Sequence, residues 1–509
     1  MQKQFTERSF TFFTINFVIG VGFITTISTV LQISYWGYLV LILAAFCVFG
    51  ITLVYSRLAN TYNDHYGGSY SFARHLDDDV ARGHSKRSKK RGLDNLIFFV
   101  GWNQFIQTPL LAAVAPLFLA DAVQIALPDR SVFPQYDLVL WITRGVSIAL
   151  FIAIIAISTI GLKTNKKIIL FASGFKWFIL LLAIGIMVFA VAKEPQLPML
   201  EISSDTKMNH IQPKLIISNT LLFMYAFAGI EDVSSMVKDV KFKSFRKILL
   251  ISFAFIFIFY LVFFTLYLFL PASLKPTATT KVNISAIYTY GLGAWGVGIF
   301  IVGFLCNDLS FKLFQSASTA RRVVPLAEDG YLPAKYAVRN KNHEFKNAIW
   351  FTTVITLIAM VILWIIPTLS NEQKQADFFD ATIIACSTAL FIEDIITFFL
   401  GFALARKKRI PKIPLWEKLI YIITILAIGF VLLLFYVPWI IGDSWGYKNT
   451  VSLVVYIAFV LLGYVMKFWY QHGLGNKLRK LLHLKPKKEI QIPQDNQIDN
   501  DWLINVDQM

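Results

Sequence analysis

The chain is a succession of apolar runs, most of them twenty residues or longer, separated by short stretches rich in lysine and arginine. A hydrocarbon core about 30 Å thick needs about 20 mainly apolar residues per crossing helix. Within it, backbone polar groups must be satisfied inside the protein, which leaves helices or closed barrels. Runs this long exclude barrel strands, so an all-α membrane protein is predicted. Composition agrees: 16% of residues are charged and 56% hydrophobic, where a soluble chain carries about 25% charged residues.

The length rule predicts twelve transmembrane helices. The first six fall near 10–31, 36–60, 93–126, 138–160, 168–192 and 213–237. The second six fall near 246–270, 286–318, 346–367, 377–405, 415–437 and 449–470, with the third and eighth long enough to tilt. Residues 1–9 precede the first helix, which is read as retained rather than as a signal peptide because no small-residue cleavage site closes it. The loop 61–92 and the tail 471–509 are expected to be mobile.

A net charge of +17 would suit a nucleic-acid binder, but its distribution argues otherwise. With a cytoplasmic amino terminus, 38 of the 48 lysines and arginines fall on the cytoplasmic side and 8 outside, with Arg144 and Lys176 within spans. Both termini are therefore expected in the cytoplasm, with anionic membrane lipids as neighbours and no nucleic acid as partner. Cys47, Cys306 and Cys386 lie far apart inside apolar runs, with no disulfide or metal spacing. No cofactor or metal is expected, and no span carries the histidine cluster that a membrane-embedded enzyme would need.

Two spans carry interruptions. The first has Gly20-Val21-Gly22 at its middle, followed by Phe23; the sixth has Tyr225, Phe227, Ala228 and Gly229, then Glu231 and Asp232. Glycine pairs also serve close helix packing. Here they lie five helices apart, the relation of two inverted five-helix repeats. Broken helices expose N–H groups at one half and carbonyls at the other, and in hydrocarbon these must line a cavity. N–H ends suit a carboxylate and carbonyl ends an ammonium, so a zwitterionic amino acid matches both.

Those motifs resemble the amino acid–polyamine–organocation superfamily of permeases. The likeness covers the first ten spans well and the last two weakly. It rests on Gly20-Val21-Gly22-Phe23, Gly67-Gly68-Ser69-Tyr70, the trio Phe227, Gly229 and Glu231, and TARRVVPLAEDGYLP with Arg321, Ala327, Asp329, Gly330 and Pro333 in register. Val21 replaces the usual small polar residue, and the proline usual before Gly67 is absent. The resemblance implies a ten-helix core over 10–405, built from repeats of about 10–192 and 213–405, with two added helices over 415–470. It implies a secondary transporter of amino acids, by proton symport or amino acid exchange, in the cytoplasmic membrane. Transport of polyamines or other organic cations, or a twelve-helix transporter of another fold, is the alternative. The short link around Lys238–Arg246 argues against two six-helix halves.

Ionisable groups within spans each need a reason. Lys176 either snorkels to the headgroups or, as the resemblance implies, stands as an ammonium where sodium-driven relatives hold their ion. Glu231 is either satisfied by backbone N–H groups or tied to gating and substrate. Asp308 and Lys312, four apart, share a helix face and are expected to pair. Glu393 and Asp394 diverge by about 100°, and at least one is expected to pair with a lysine from another helix. Phe23, Tyr225 and Phe227 flank the breaks as candidate gates; Gln104 and Gln107 could reach the same cavity or bond between helices.

Overall fold

The Thr6 hydroxyl accepts from the Ser9 N–H while the Ser9 hydroxyl accepts from the Thr6 N–H, a reciprocal cap that starts the first helix. In the computed structural model, residues 5–82, 84–127, 133–194, 213–271, 274, 284–365, 372–442 and 444–473 are described. Nearly all of the expected mobile tail lies outside them.

The first predicted span is two helices, α1 (Glu7–Val18) and α2 (Val21–Gln32), of 12 residues each. At about 1.5 Å per residue neither can cross a bilayer alone. Continuous α3 (Trp36–Thr61) follows, then short α4 (Ser69–Arg74) and α5 (Asp78–Ala81), then α6 (Arg91–Ala126), α7 (Tyr136–Ser158) and α8 (Leu162–Lys193). The sixth span is again divided, into α9 (Pro213–Phe227) and α10 (Ile230–Ser234). The rest comprises α11 (Phe245–Leu268), α12 (Ser285–Leu292), α13 (Trp295–Glu328), α14 (Lys346–Met360), α15 (Glu372–Arg406), α16 (Leu415–Tyr436) and α17 (Tyr447–Gln471).

Among the described residues, ten helices are long and apolar enough to cross a membrane, and the two divided spans are not among them. Side chains such as Phe171, Phe178, Leu181 and Phe189 on α8, and Leu426, Phe430 and Leu433 on α16, are exposed. A continuous apolar exterior of this kind is stable only against lipid.

Three expectations change. The eighth span, predicted as 286–318, is two helices: a turn at Gly293 separates α12 from α13, and α13 runs on to Glu328. Its last turns are not expelled into water, because Arg321 and Arg322 are buried against acids: Arg321 pairs with Asp239 and Glu344, and Arg322 with Asp232. Second, the described residues of 61–92 carry α4 and α5 and are tied to other parts of the chain. Lys407 donates to the Leu76 carbonyl, Arg409 reaches the His75 carbonyl and Asp78, and Ser88 bonds Asp77. Third, the chain contains a short parallel strand pair, Phe5–Thr6 with Val240–Lys241. It joins the entrance of α1 to the exit of α10, so the outer ends of these two half-helices are tied together.

Candidate functional site

Where α1 stops, the Ile19 N–H still reaches the Ile15 carbonyl at 3.0 Å, but Gly20 is extended and α2 restarts at Val21. A Cβ on Gly20 would lie 3.1 Å from the Phe17 carbonyl oxygen. In the sixth span the break falls at Ala228-Gly229, where Gly229 has φ +126°. A Cβ there would be strained by the backbone and would stand 2.7 Å from the Phe17 ring. The two breaks are therefore in contact, and glycine is what lets them meet.

One side chain joins them. Tyr260 of α11 donates to the Ala226 carbonyl at 2.6 Å and also lies 3.3 Å from the Val18 carbonyl, the last turns of both first halves. Its ring stacks on Phe23 at 4.2 Å and packs edge-on against Phe227 at 5.0 Å. The carbonyl end expected to suit a substrate ammonium therefore already has one acceptor, at Ala226, taken by this hydroxyl. No motif marks Tyr260, and only its place opposite two broken helices reveals it.

Lys176 reaches inward from α8, 3% exposed, and donates to the Asn16 carbonyl at 2.7 Å. It does not snorkel. A cation at the last turn of α1 satisfies an orphan carbonyl and complements the helix dipole. Lys176, Gly20, Phe23 and Asn307 of α13 line a cavity of about 20 Å³, room for about one water. Among the described residues, neither polar atom of the buried Asn307 side chain has a hydrogen-bond partner. Asn307 was missed because a lone asparagine in a span carries no pattern.

Beyond the sixth-span break the chemistry turns acidic. Glu231 accepts the Gly229 N–H at 2.8 Å, so backbone in the break does satisfy one carboxylate oxygen. Gln107, Ala228, Glu231, Asp232 and Gln315 are on the wall of a second cavity of about 20 Å³. Glu393 is buried and accepts from Tyr55 at 2.9 Å, and also from Ser69 and Gln107. Neither Glu393 nor Asp394 pairs with a lysine among the described residues, contrary to expectation. Hydroxyls and an amide satisfy Glu393, and the nearby cation is Arg322, which sequence reading overlooked. Asp308 and Lys312 pair at 2.6 Å as expected. Gln104 lies against Gly68, and its own amide atoms have no partner among the described residues.

The motif after the second helix now has a physical meaning. Gly67 and Gly68 both hold positive φ, and the turn aims the next two residues apart. Ser69 reaches Glu393, while Tyr70 donates to Asp329 in the motif after the eighth span. Arg74 pairs with Asp329 at 2.9 Å. Outside the spans, burial raises the Asp329 carboxyl above the usual range, and the Arg74 charge opposes it. The side chains of Val21 and Tyr225 lie outside the described residues, so the gate expected of Tyr225 is not placed; Phe23 and Phe227 are buried beside the breaks.

Comparison with known proteins adds the family. The family described as "Amino acid permease" matches residues 5–463. An uncharacterized protein of Mycoplasma genitalium is 31% identical over 491 residues, covering 94% of this chain and 97% of its own. An uncharacterized Mycoplasma pneumoniae protein is 30% identical (91% and 93% covered), and a second one of M. genitalium 31% identical (91% and 94%).

Proposed function

The chain belongs to the amino acid permease family, and from that premise we propose that it moves amino acids across the cytoplasmic membrane by alternating access. The substrate carboxylate lies against the backbone at the start of α2, from Gly20 through Val21 and Gly22 to Phe23, where the helix dipole favours an anion. Its ammonium faces the remaining acceptor positions around Ala228. The observation that carries this reading is the contact between two half-helix ends buried inside the protein, Gly229 against Phe17. Bare peptide groups at that depth need polar partners.

The cavities hold about one water each, so binding requires the two divided spans to part around Tyr260. In this reading the core is a five-plus-five inverted repeat over about 10–192 and 213–405, the added helices are 415–470, and both termini are cytoplasmic. Basic side chains gather near the strand pair: Lys166 lies over the Phe5 ring, and Arg246 and Arg57 share Glu417. That region suits the anionic cytoplasmic leaflet. Proton symport or amino acid exchange drives the cycle, with Lys176 as carrier or fixed charge.

A second reading, a cationic substrate, is favoured by Glu231 and Asp232 on the wall of the second cavity. Counterflow of labelled amino acids in proteoliposomes tests the assignment, with a competition panel of all twenty to rank substrates. Absence of counterflow for every amino acid, with polyamine uptake present, would move the assignment to organic cations.

A further inference from the structure

The acids behind the second break outnumber their cations. Glu231, Asp232, Glu393 and Asp394 are each at most 9% exposed, and among the described residues Arg322 is the one guanidinium beside them. Four charged carboxylates around one cation, walled from water, would be strongly unfavourable.

Their partners show where the imbalance is relieved. Asp232 takes Arg322, Glu231 takes the Gly229 N–H, and Glu393 takes three donors. Asp394 has nothing equivalent. It is fully buried, and among the described residues neither of its oxygens has a hydrogen-bond partner.

The described groups nearest Asp394 either share its sign or are committed elsewhere. From α3, Cys47 and Tyr55 face Asp394; the Tyr55 hydroxyl lies close enough to act on Asp394, but its single proton is donated to Glu393 at 2.9 Å. From α10 comes Glu231 and from α15 itself Glu393; Asp232 of α10 and Arg322 of α13 pair with each other, and Arg322 also faces Glu393. On α6, Gln107 serves Glu393, and Gln104 is uncharged. Tyr70 of α4 serves Asp329. On α16, Tyr421 bonds Glu417 and Tyr436 bonds Thr388; on α17, Tyr456 bonds Asn103 and Lys448 pairs with Asp380. No cation is left over for Asp394 among these. The adjoining cavity is lined by Gln315 and Ser387, whose Nε2 and Oγ also have no partner among the described residues, so a water-sized polar ligand can reach the cluster's edge.

We propose that Asp394 is a proton-binding site, carrying a proton as a neutral acid while this cluster is closed. When α10 and α13 separate and water enters, Asp394 releases the proton to that water and becomes a hydrated carboxylate. This site is additional to Lys176, and its use in coupling rests on the transport reading above; its occupancy by a proton does not.

The test uses the full chain in proteoliposomes. Infrared difference spectroscopy at neutral pH should show the carbonyl stretch of a neutral carboxylic acid, lost in Asp394→Asn and regained in Asp394→Glu. Asparagine has the shape of a neutral aspartic acid, so the variant should fold with unchanged thermal stability. Its amino acid counterflow should persist, while acceleration of uptake by a proton gradient should be lost. An unchanged infrared band overturns the proposal, as does a variant that fails to fold or one that keeps wild-type acceleration. If wild-type protein shows the band without amino acid counterflow, the proton site stands and the amino acid assignment fails.

Discussion

The Lys176 ammonium sits 2.7 Å from the carbonyl of Asn16, in the last turn of the first half-helix. A side chain from the fifth span thus supplies the donor that the interruption in the first span removes. Lys176→Ala is expected to abolish proton-driven uptake while leaving counterflow measurable. Uptake with and without an imposed pH gradient checks this, and intact proton-driven uptake would remove Lys176 from the carrier role.

Gly229→Ala and Gly20→Ala should differ. Gly229 combines φ +126° with a Phe17 ring 2.7 Å from any Cβ, whereas Gly20 is extended and has 3.1 Å to the nearest atom. A strained left-handed residue costs about 1–3 kcal/mol before any clash. Thermal unfolding in detergent should show a clear loss for Gly229→Ala and a smaller one for Gly20→Ala; equal losses would mean that the sixth-span backbone is not strained.

Tyr260→Phe removes the hydroxyl that holds Ala226 and keeps the ring that stacks on Phe23. Leaving a buried carbonyl unpaired costs about 1–3 kcal/mol. The variant should lose stability and bind substrate differently, read as a shift in KM for uptake. A silent variant in both measurements would show that the bridge between the breaks carries no weight.

Acid should loosen the ordered loop after the second span. Burial first, then the charges of Arg74 and Arg409, pushes the His75 imidazole down to about 4, although its bond to the Ser71 carbonyl opposes the shift. An unfolded histidine titrates near 6.5, so below that pH the unfolded loop binds the extra proton. The neutral ring's contribution is complete above about 6.5 and is lost as pH falls from there toward about 4. Hydrogen exchange of residues 69–81 should accelerate over that window, and His75→Phe should flatten the dependence.

The Tyr70–Asp329 link joins two motifs that lie far apart in sequence. Tyr70→Phe and Asp329→Asn should be non-additive in a stability cycle by about 0.5–3 kcal/mol, the range for residues in direct contact. Additive losses would mean that the motifs act separately.

Much of the membrane architecture was legible, because lipid imposes a length and a polarity on each span that the chain must satisfy locally. The twelve predicted segments each contain helix, and the interruptions at Gly20 and Gly229 were visible because glycine clusters are costly in a helix interior. Lys176, Glu231 and the Asp308–Lys312 pair also stood out, as charges in hydrocarbon must. The eighth span was misread for the same reason: Arg321 and Arg322 look like a membrane exit until the acids that bury them are known.

Partnership was not legible. Tyr260, Asn307 and Arg322 are ordinary residues in sequence, and each matters here because of what a distant helix brings beside it. The helices, their breaks and their basic faces follow from the chain alone, because local hydropathy and backbone cost set them. Packing between distant segments brings the breaks together, places a tyrosine between them, and satisfies Glu393 with two hydroxyls and an amide while Asp394 has no donor among the described residues. Those outcomes depend on distances between residues tens to hundreds of positions apart, which no local pattern encodes.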